Sequence, residues 1–211
     1  MAPLEPAHDC PLCPRLADFR AANRAKFPDY FNAPVPCFGP RDAALAIAGL
    51  APGLHGANAT GRPFTGDWAG DLLFATLLKH GLARGVYKER ADDGLELVDC
   101  RIVNSVRCVP PQNKPEPSEI RTCRQFLIAE MDEMPKLRVI LALGKIAHDS
   151  VLKTLDARIA AHPFKHGGVY EIGKFKLVSS YHCSRYNTNT GVLTTKMFED
   201  VVAKAKKLAE L

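Results

Sequence analysis

The chain has no long apolar run. Nothing in its 211 residues approaches the roughly 20 consecutive apolar residues of a membrane-spanning helix. The first residues, Met1-Ala2-Pro3-Leu4-Glu5-Pro6, lack the basic segment and apolar stretch of a secretory signal, so a cytosolic protein is expected. There is no internal repeat and no low-complexity tract. Charge is nearly balanced: 28 Lys and Arg against 23 Asp and Glu leave +5, which permits a polyanionic partner without demanding one. Apolar residues at 46% and charged residues at 24% exclude a disordered tail, a collagen-like repeat and a coiled coil. The seven cysteines stand out, because disulfides do not persist in a reducing compartment.

Four short apolar runs read as buried strands: Ala44 to Leu50, Arg101 to Val106, Arg138 to Leu143 and Phe175 to Ser179. Their continuous rather than alternating apolar character suits a sheet covered on both faces. Helical spacing falls between them, over Ala69 to His80, from Pro117 with Ser118 as N-cap, over Lys145 to Leu155, and over about Thr194 to Leu208. The alternation predicts an α/β fold, a three-layer α/β/α sandwich with a central, mainly parallel four-stranded sheet. Residues 1–211 are expected to form one domain. Each strand runs into a polar, Gly- or His-containing loop, and the ligand crevice of such a sheet lies at its carboxyl edge.

Cys10-Pro11-Leu12-Cys13 is a CxxC pair, and Cys108 and Cys123 lie far downstream. A CxxC turn points both sulfurs at one metal centre, and two further thiolates complete a four-sulfur site. Two alternatives stay open: a structural zinc, or Cys108 and Cys123 as small buried apolar residues. His162 and His166 read as a surface turn.

The most unusual stretch is Gly49-Leu50-Ala51-Pro52-Gly53-Leu54-His55-Gly56-Ala57-Asn58, continuing to Arg62-Pro63-Phe64-Thr65-Gly66-Asp67. Together with Asn104 and with Tyr181-His182-Cys183-Ser184-Arg185-Tyr186-Asn187, it resembles the uracil-DNA glycosylase superfamily. Within that superfamily it is similar to family 5, the type B enzymes that carry an iron–sulfur cluster. The resemblance implies a 4Fe–4S cluster on Cys10, Cys13, Cys108 and Cys123. It implies catalytic roles for Asp67, Asn104 and His182, and a base pocket made of Ala51, Gly53, His55, Phe64, Asn104 and His182. It further implies a duplex-wedging loop of Ser184, Arg185, Tyr186 and Asn187.

The implied activity is hydrolysis of uracil, and of hypoxanthine or xanthine, from DNA by a monomeric enzyme of a bacterial or archaeal cytosol. Strand cleavage is not expected, since no lysine sits in the motifs to form a Schiff base. Three departures accompany the match. Ala51 is apolar where better-known superfamily members are polar, Cys183 replaces a usual proline, and Ala59 replaces a common arginine.

Several of these residues also have structural readings. Asp67 precedes a helix and serves equally as its N-cap. Phe64 also fits a core aromatic and His182 a satisfied loop histidine, whereas Asn104 inside an apolar strand calls for a polar partner. Two rivals remain: a uracil-restricted family 4 enzyme, and a non-catalytic iron–sulfur protein that binds uracil-containing DNA.

Overall fold

The structure, a computed structural model, describes residues 5–211. The elements in chain order are α1 (Pro14–Lys26), β1 (Leu45–Gly49), α2 (Ala57–Thr60), α3 (Trp68–Lys79), β2 (Ala83–Arg84), β3 (Glu96–Leu97) and β4 (Cys100–Asn104). There follow α4 (Pro117–Asp132), β5 (Val139–Leu143), α5 (Lys145–Thr154), β6 (Val169–Ile172), β7 (Phe175–Ser180), α6 (Arg185–Asn189) and α7 (Thr195–Leu208).

The central sheet runs β4-β1-β5-β7-β6. Its first four strands are parallel, with Gly49 beside Asn104 and Leu143 beside Ser180, so all four end at one edge. These are the four expected strands. The expected count of four is corrected to five, because β6 adds an antiparallel edge strand to β7. Its residues Val169, Tyr170, Glu171 and Ile172 alternate between exposed and half-buried, the mark of an edge rather than of a central strand.

Alternate residues of each strand feed two cores, as a sheet of period two requires. Leu45, Ile47 and Leu141 pack with Leu73, Phe74 and Leu77 of α3 and with Phe198, Val201 and Val202 of α7. Ala46, Ala48 and Ile140 face Leu127 and Met131 of α4 and Ala147, Val151 and Leu152 of α5. The three-layer α/β/α sandwich therefore stands.

Helix α4 is capped by Glu116, not by Ser118. Pro117 fixes the first helical residue, and Glu119 reaches back to the Glu116 N–H at 2.7 Å in a reciprocal capping box. Helix α1 was not apparent from the sequence, because its buried side is Leu16, Arg20 and Asn23, two of them polar. It docks on a third, smaller core of Val106, Cys123 and Phe126. Arg15 clamps it to Glu119 with two 2.8 Å hydrogen bonds.

Candidate active site

The cleft lies where the parallel strands end. Strand β4 stops at Asn104 and its neighbour β1 stops at Gly49. A Cβ on Gly49 would stand 2.4 Å from Asn104 Oδ1 and 3.0 Å from the Phe64 ring, so glycine is what lets the amide and the aromatic meet. Asn104 is buried, and its Oδ1 has no hydrogen-bond partner. An amide oxygen left so is costly unless a ligand completes it.

Phe64 follows α2 on a turn and adopts φ of +56°, a conformation an L-residue holds only when its surroundings enforce it. The Tyr87 hydroxyl does so, donating to Phe64 O at 3.4 Å and accepting from Gly66 N at 3.3 Å. The Tyr87 ring packs on Phe74 at 4.6 Å. Behind it, Arg62 makes two 2.8 Å bonds to Asp93 and lies over the Phe38, Phe74 and Tyr87 rings. Burial alone would raise the Asp93 carboxyl; Arg62 and the Lys88 and Leu95 N–H groups hold it far below the usual range.

Asp67 caps α3, its carboxylate accepting from Gly70 N at 3.1 Å. Gly56 again makes room: a Cβ there would lie 2.7 Å from Asp67 Oδ2. Burial raises the Asp67 carboxyl above an ordinary aspartate, against the pull of the Gly70 and Ala69 N–H groups. The residue that caps the helix therefore also lines the cleft. His182 follows β7, its ring 6.1 Å from that of Phe64 with planes 27° apart. Burial lowers the imidazole, keeping it uncharged at neutral pH.

Asp67, Asn104, His182, Phe64, Ala51 and Gly53 line a single cleft of about 600 Å³. Residues from four separate strand ends and loops thus face one volume within the usual range of small-molecule sites. The family model of the uracil DNA glycosylase superfamily matches residues 36–206. The chain belongs to the uracil-DNA glycosylase superfamily.

A type-5 uracil-DNA glycosylase of Thermus thermophilus is 44% identical over 208 residues, covering 96% of this chain and 94% of its own. The type-5 enzyme of Pyrobaculum aerophilum is 38% identical over 201 residues, 93% of this chain and 88% of its own. A type-4 uracil-DNA glycosylase of Archaeoglobus fulgidus is 28% identical over 182 residues, 84% and 81%. This glycosylase is therefore an enzyme of the type-5 branch.

Of the expected base contacts, His55 is corrected. It is exposed, its Nδ1 is 3.0 Å from the Tyr30 hydroxyl and its ring meets Phe27 edge-on at 5.6 Å. His55 is not among the residues that line the cleft. Sequence reasoning missed Asn113, Gly144, Lys145, Ile146 and Phe164, all of which line the cleft of this glycosylase. Gly144 ends a parallel strand, and that was the available signal for its neighbours. Lys145 is engaged by Asp149 at 2.5 Å.

Ser184 caps α6, accepting from Asn187 N at 3.4 Å, while Asn187 Nδ2 donates to His182 O at 2.8 Å. Both line the cleft, whereas Arg185 and Tyr186 face solvent. Cys183 is fully buried and its thiol donates to Ala69 O at 3.4 Å, a tie that the usual proline could not make.

Cys10, Cys13, Cys108 and Cys123 border one small cavity together with Arg20. The guanidinium of Arg20 donates to Cys108 Sγ at 3.5 Å and to Cys10 O at 2.9 Å. Burial pushes the Cys108 thiol up to about 11 and the Cys123 thiol up to about 12. Among the described residues, no three His, Cys, Asp or Glu side chains form a site for a single metal ion. No helix among them is long and apolar enough to cross a membrane.

Proposed function

We propose that this glycosylase hydrolyses the N-glycosidic bond of uracil, and of hypoxanthine and xanthine, in DNA after the nucleotide has swung out of the duplex into the cleft. The observation that carries this reading is the convergence of Asp67, Asn104, His182 and Phe64 on one cleft. Breaking the bond between the sugar C1′ and the base nitrogen leaves its electrons with the base and positive charge on the sugar. A water oxygen then bonds to C1′ and gives up a proton. The two developing charges need opposite stabilisation in a dry site.

The neutral imidazole of His182 donates to the base oxygen where negative charge gathers. The Asp67 carboxylate faces the sugar, stabilises its positive charge and takes the proton of the attacking water, as a carboxylate does in glycoside hydrolysis. A raised carboxyl is a better proton acceptor near neutral pH than an ordinary one. Asn104 pairs its free amide with the base edge. Phe64 stacks on the extruded base, recovering about 1–3 kcal/mol of the extrusion cost.

The same reading puts a 4Fe–4S cluster on Cys10, Cys13, Cys108 and Cys123. The four thiols share a cavity, and Arg20 supplies the positive donor that an assembly of thiolates requires. When bound, the group would supply iron–sulfur bonds that tie the segment leading into α1 to the β4–α4 loop at Cys108 and to α4 at Cys123, with no redox turnover. The enzyme acts as a monomer on DNA in the cytosol.

Base release from oligonucleotides carrying one uracil, hypoxanthine or xanthine tests the assignment. The native protein is expected to release many bases per molecule. Asp67→Ala, Asn104→Ala and His182→Ala are each expected to lose roughly two decades of rate. Near-native turnover by Asp67→Ala would remove it from the chemistry. Borohydride should trap no covalent adduct, because no motif residue is a lysine.

A further inference from the structure

The chain has a single tryptophan, and it stands directly after Asp67 as the first residue of α3. Trp68 is 47% exposed, unusual for so large an apolar ring, yet it makes two specific contacts. Its Nε1–H donates to Thr188 Oγ1 at 2.8 Å, and the Arg185 guanidinium lies over its ring at 5.3 Å. Thr188 passes the bond on, because its hydroxyl also lies within 3.2 Å of Ser184 O and 3.1 Å of Arg185 O. Both partners belong to α6, more than a hundred residues away in sequence. A third tie runs from the Cys183 thiol to Ala69 O, in the same first turn of α3.

We propose that Trp68 is a positioning residue that latches α6 to the first turn of α3, fixing the duplex-facing side chains relative to Asp67 before DNA arrives. The proposal rests on the glycosylase reading and extends it to a residue outside the cleft. A five-residue helix such as α6 has almost no stability of its own. Without the latch, its ordering entropy falls on the binding step, which weakens binding and leaves the bound complex intact. The cation–π contact also keeps the Arg185 charge at the rim, where a phosphate passes. One helix start thus presents the acid on one side and the anchor of the DNA-facing helix on the other.

Single-turnover base release with enzyme in excess separates binding from chemistry. Thr188→Val keeps the shape and removes the acceptor; Trp68→Phe keeps a ring and removes the donor. In both, the enzyme concentration giving half the limiting rate on a uracil-containing duplex should rise about fivefold. The limiting rate should stay within about twofold. Fluorescence of the single tryptophan gives a second readout. A duplex carrying a stable abasic-site analogue should change its emission, and Thr188→Val should need about fivefold more duplex for the same change.

Native half-saturation in both variants, or loss confined to the limiting rate, overturns the latch. If the native protein releases no base, the glycosylase reading fails on its own, while the fluorescence titration still decides whether the latch sets DNA affinity.

Discussion

On the proposed mechanism, Asp67 does two jobs with one carboxylate. As a cap it satisfies an N–H of α3, and as an acid it faces the cleft. Isosteric and truncating substitutions separate these roles. Asp67→Asn keeps an N-cap acceptor and should melt like the native protein; Asp67→Ala should lose about 1 kcal/mol as well as activity. Thermal melts of the two variants check this.

The pH profile follows from the direction of the Asp67 shift. The carboxyl is raised, so the ionised form is lost on acidification at a higher pH than for an ordinary aspartate. The acid limb of base release should therefore lie above the ordinary value of 3.8. In Asp67→Asn the residual rate should be flat through that range. A native acid limb at or below the ordinary value would contradict the role. At this scale the sequence was informative where a residue clashed with its local setting. Asn104 was legible because an amide ends an apolar strand. The face that His55 turns to was not, because Tyr30, its partner, lies 25 residues earlier and no local pattern links them.

Among the elements, the segment from β2 to β3 supports a loop it does not belong to. Tyr87 holds Phe64 and Gly66, and Asp93 holds Arg62, so an excursion outside the main sheet shapes the stacking surface. Tyr87→Phe keeps the ring on Phe74 and orphans two backbone groups. It should cost about 1 kcal/mol, or about 2–4 °C of melting temperature for a chain of this size. It should also lower base release severalfold by loosening Phe64. Gly70→Ala is far harsher: its Cβ would sit 1.8 Å from Phe64 O, so a folded, active variant is not expected. Calorimetry and base release on both variants give the measurement.

Continuous apolar runs made the four parallel strands readable. β6 escaped because it is four residues long, bounded by Gly168 and Gly173, and half polar. Helix α1 escaped because its inner face carries Arg20 and Asn23, and the partners of Arg20 are Cys108 Sγ and Cys10 O in the cysteine cavity.

At the scale of the molecule, the chain is held together in two ways. The sandwich has two apolar cores, whereas α1 relies on a small core, an Arg15–Glu119 clamp and the cysteine cavity. If the proposed cluster is held there, removing iron with a chelator should lower the melting temperature and raise proteolysis around α1 before it abolishes base release. Loss of chemistry with melting and DNA binding intact would give the cluster a different role. The sandwich was legible because alternating strands and helices admit few topologies. The seating of α1 was not, since its contacts lie about a hundred residues away.

The parallel order of the sheet has a further consequence for synthesis. His182 and the strand that seats it follow Asp67 and Asn104 in the chain and are made after them. On the proposed assignment, a polypeptide interrupted before that point holds two of the three reacting side chains and lacks the His182 ring that stands 6.1 Å from Phe64. Such copies lack the imidazole, so on that assignment the full power to create an abasic site comes only once β7 and His182 have been added.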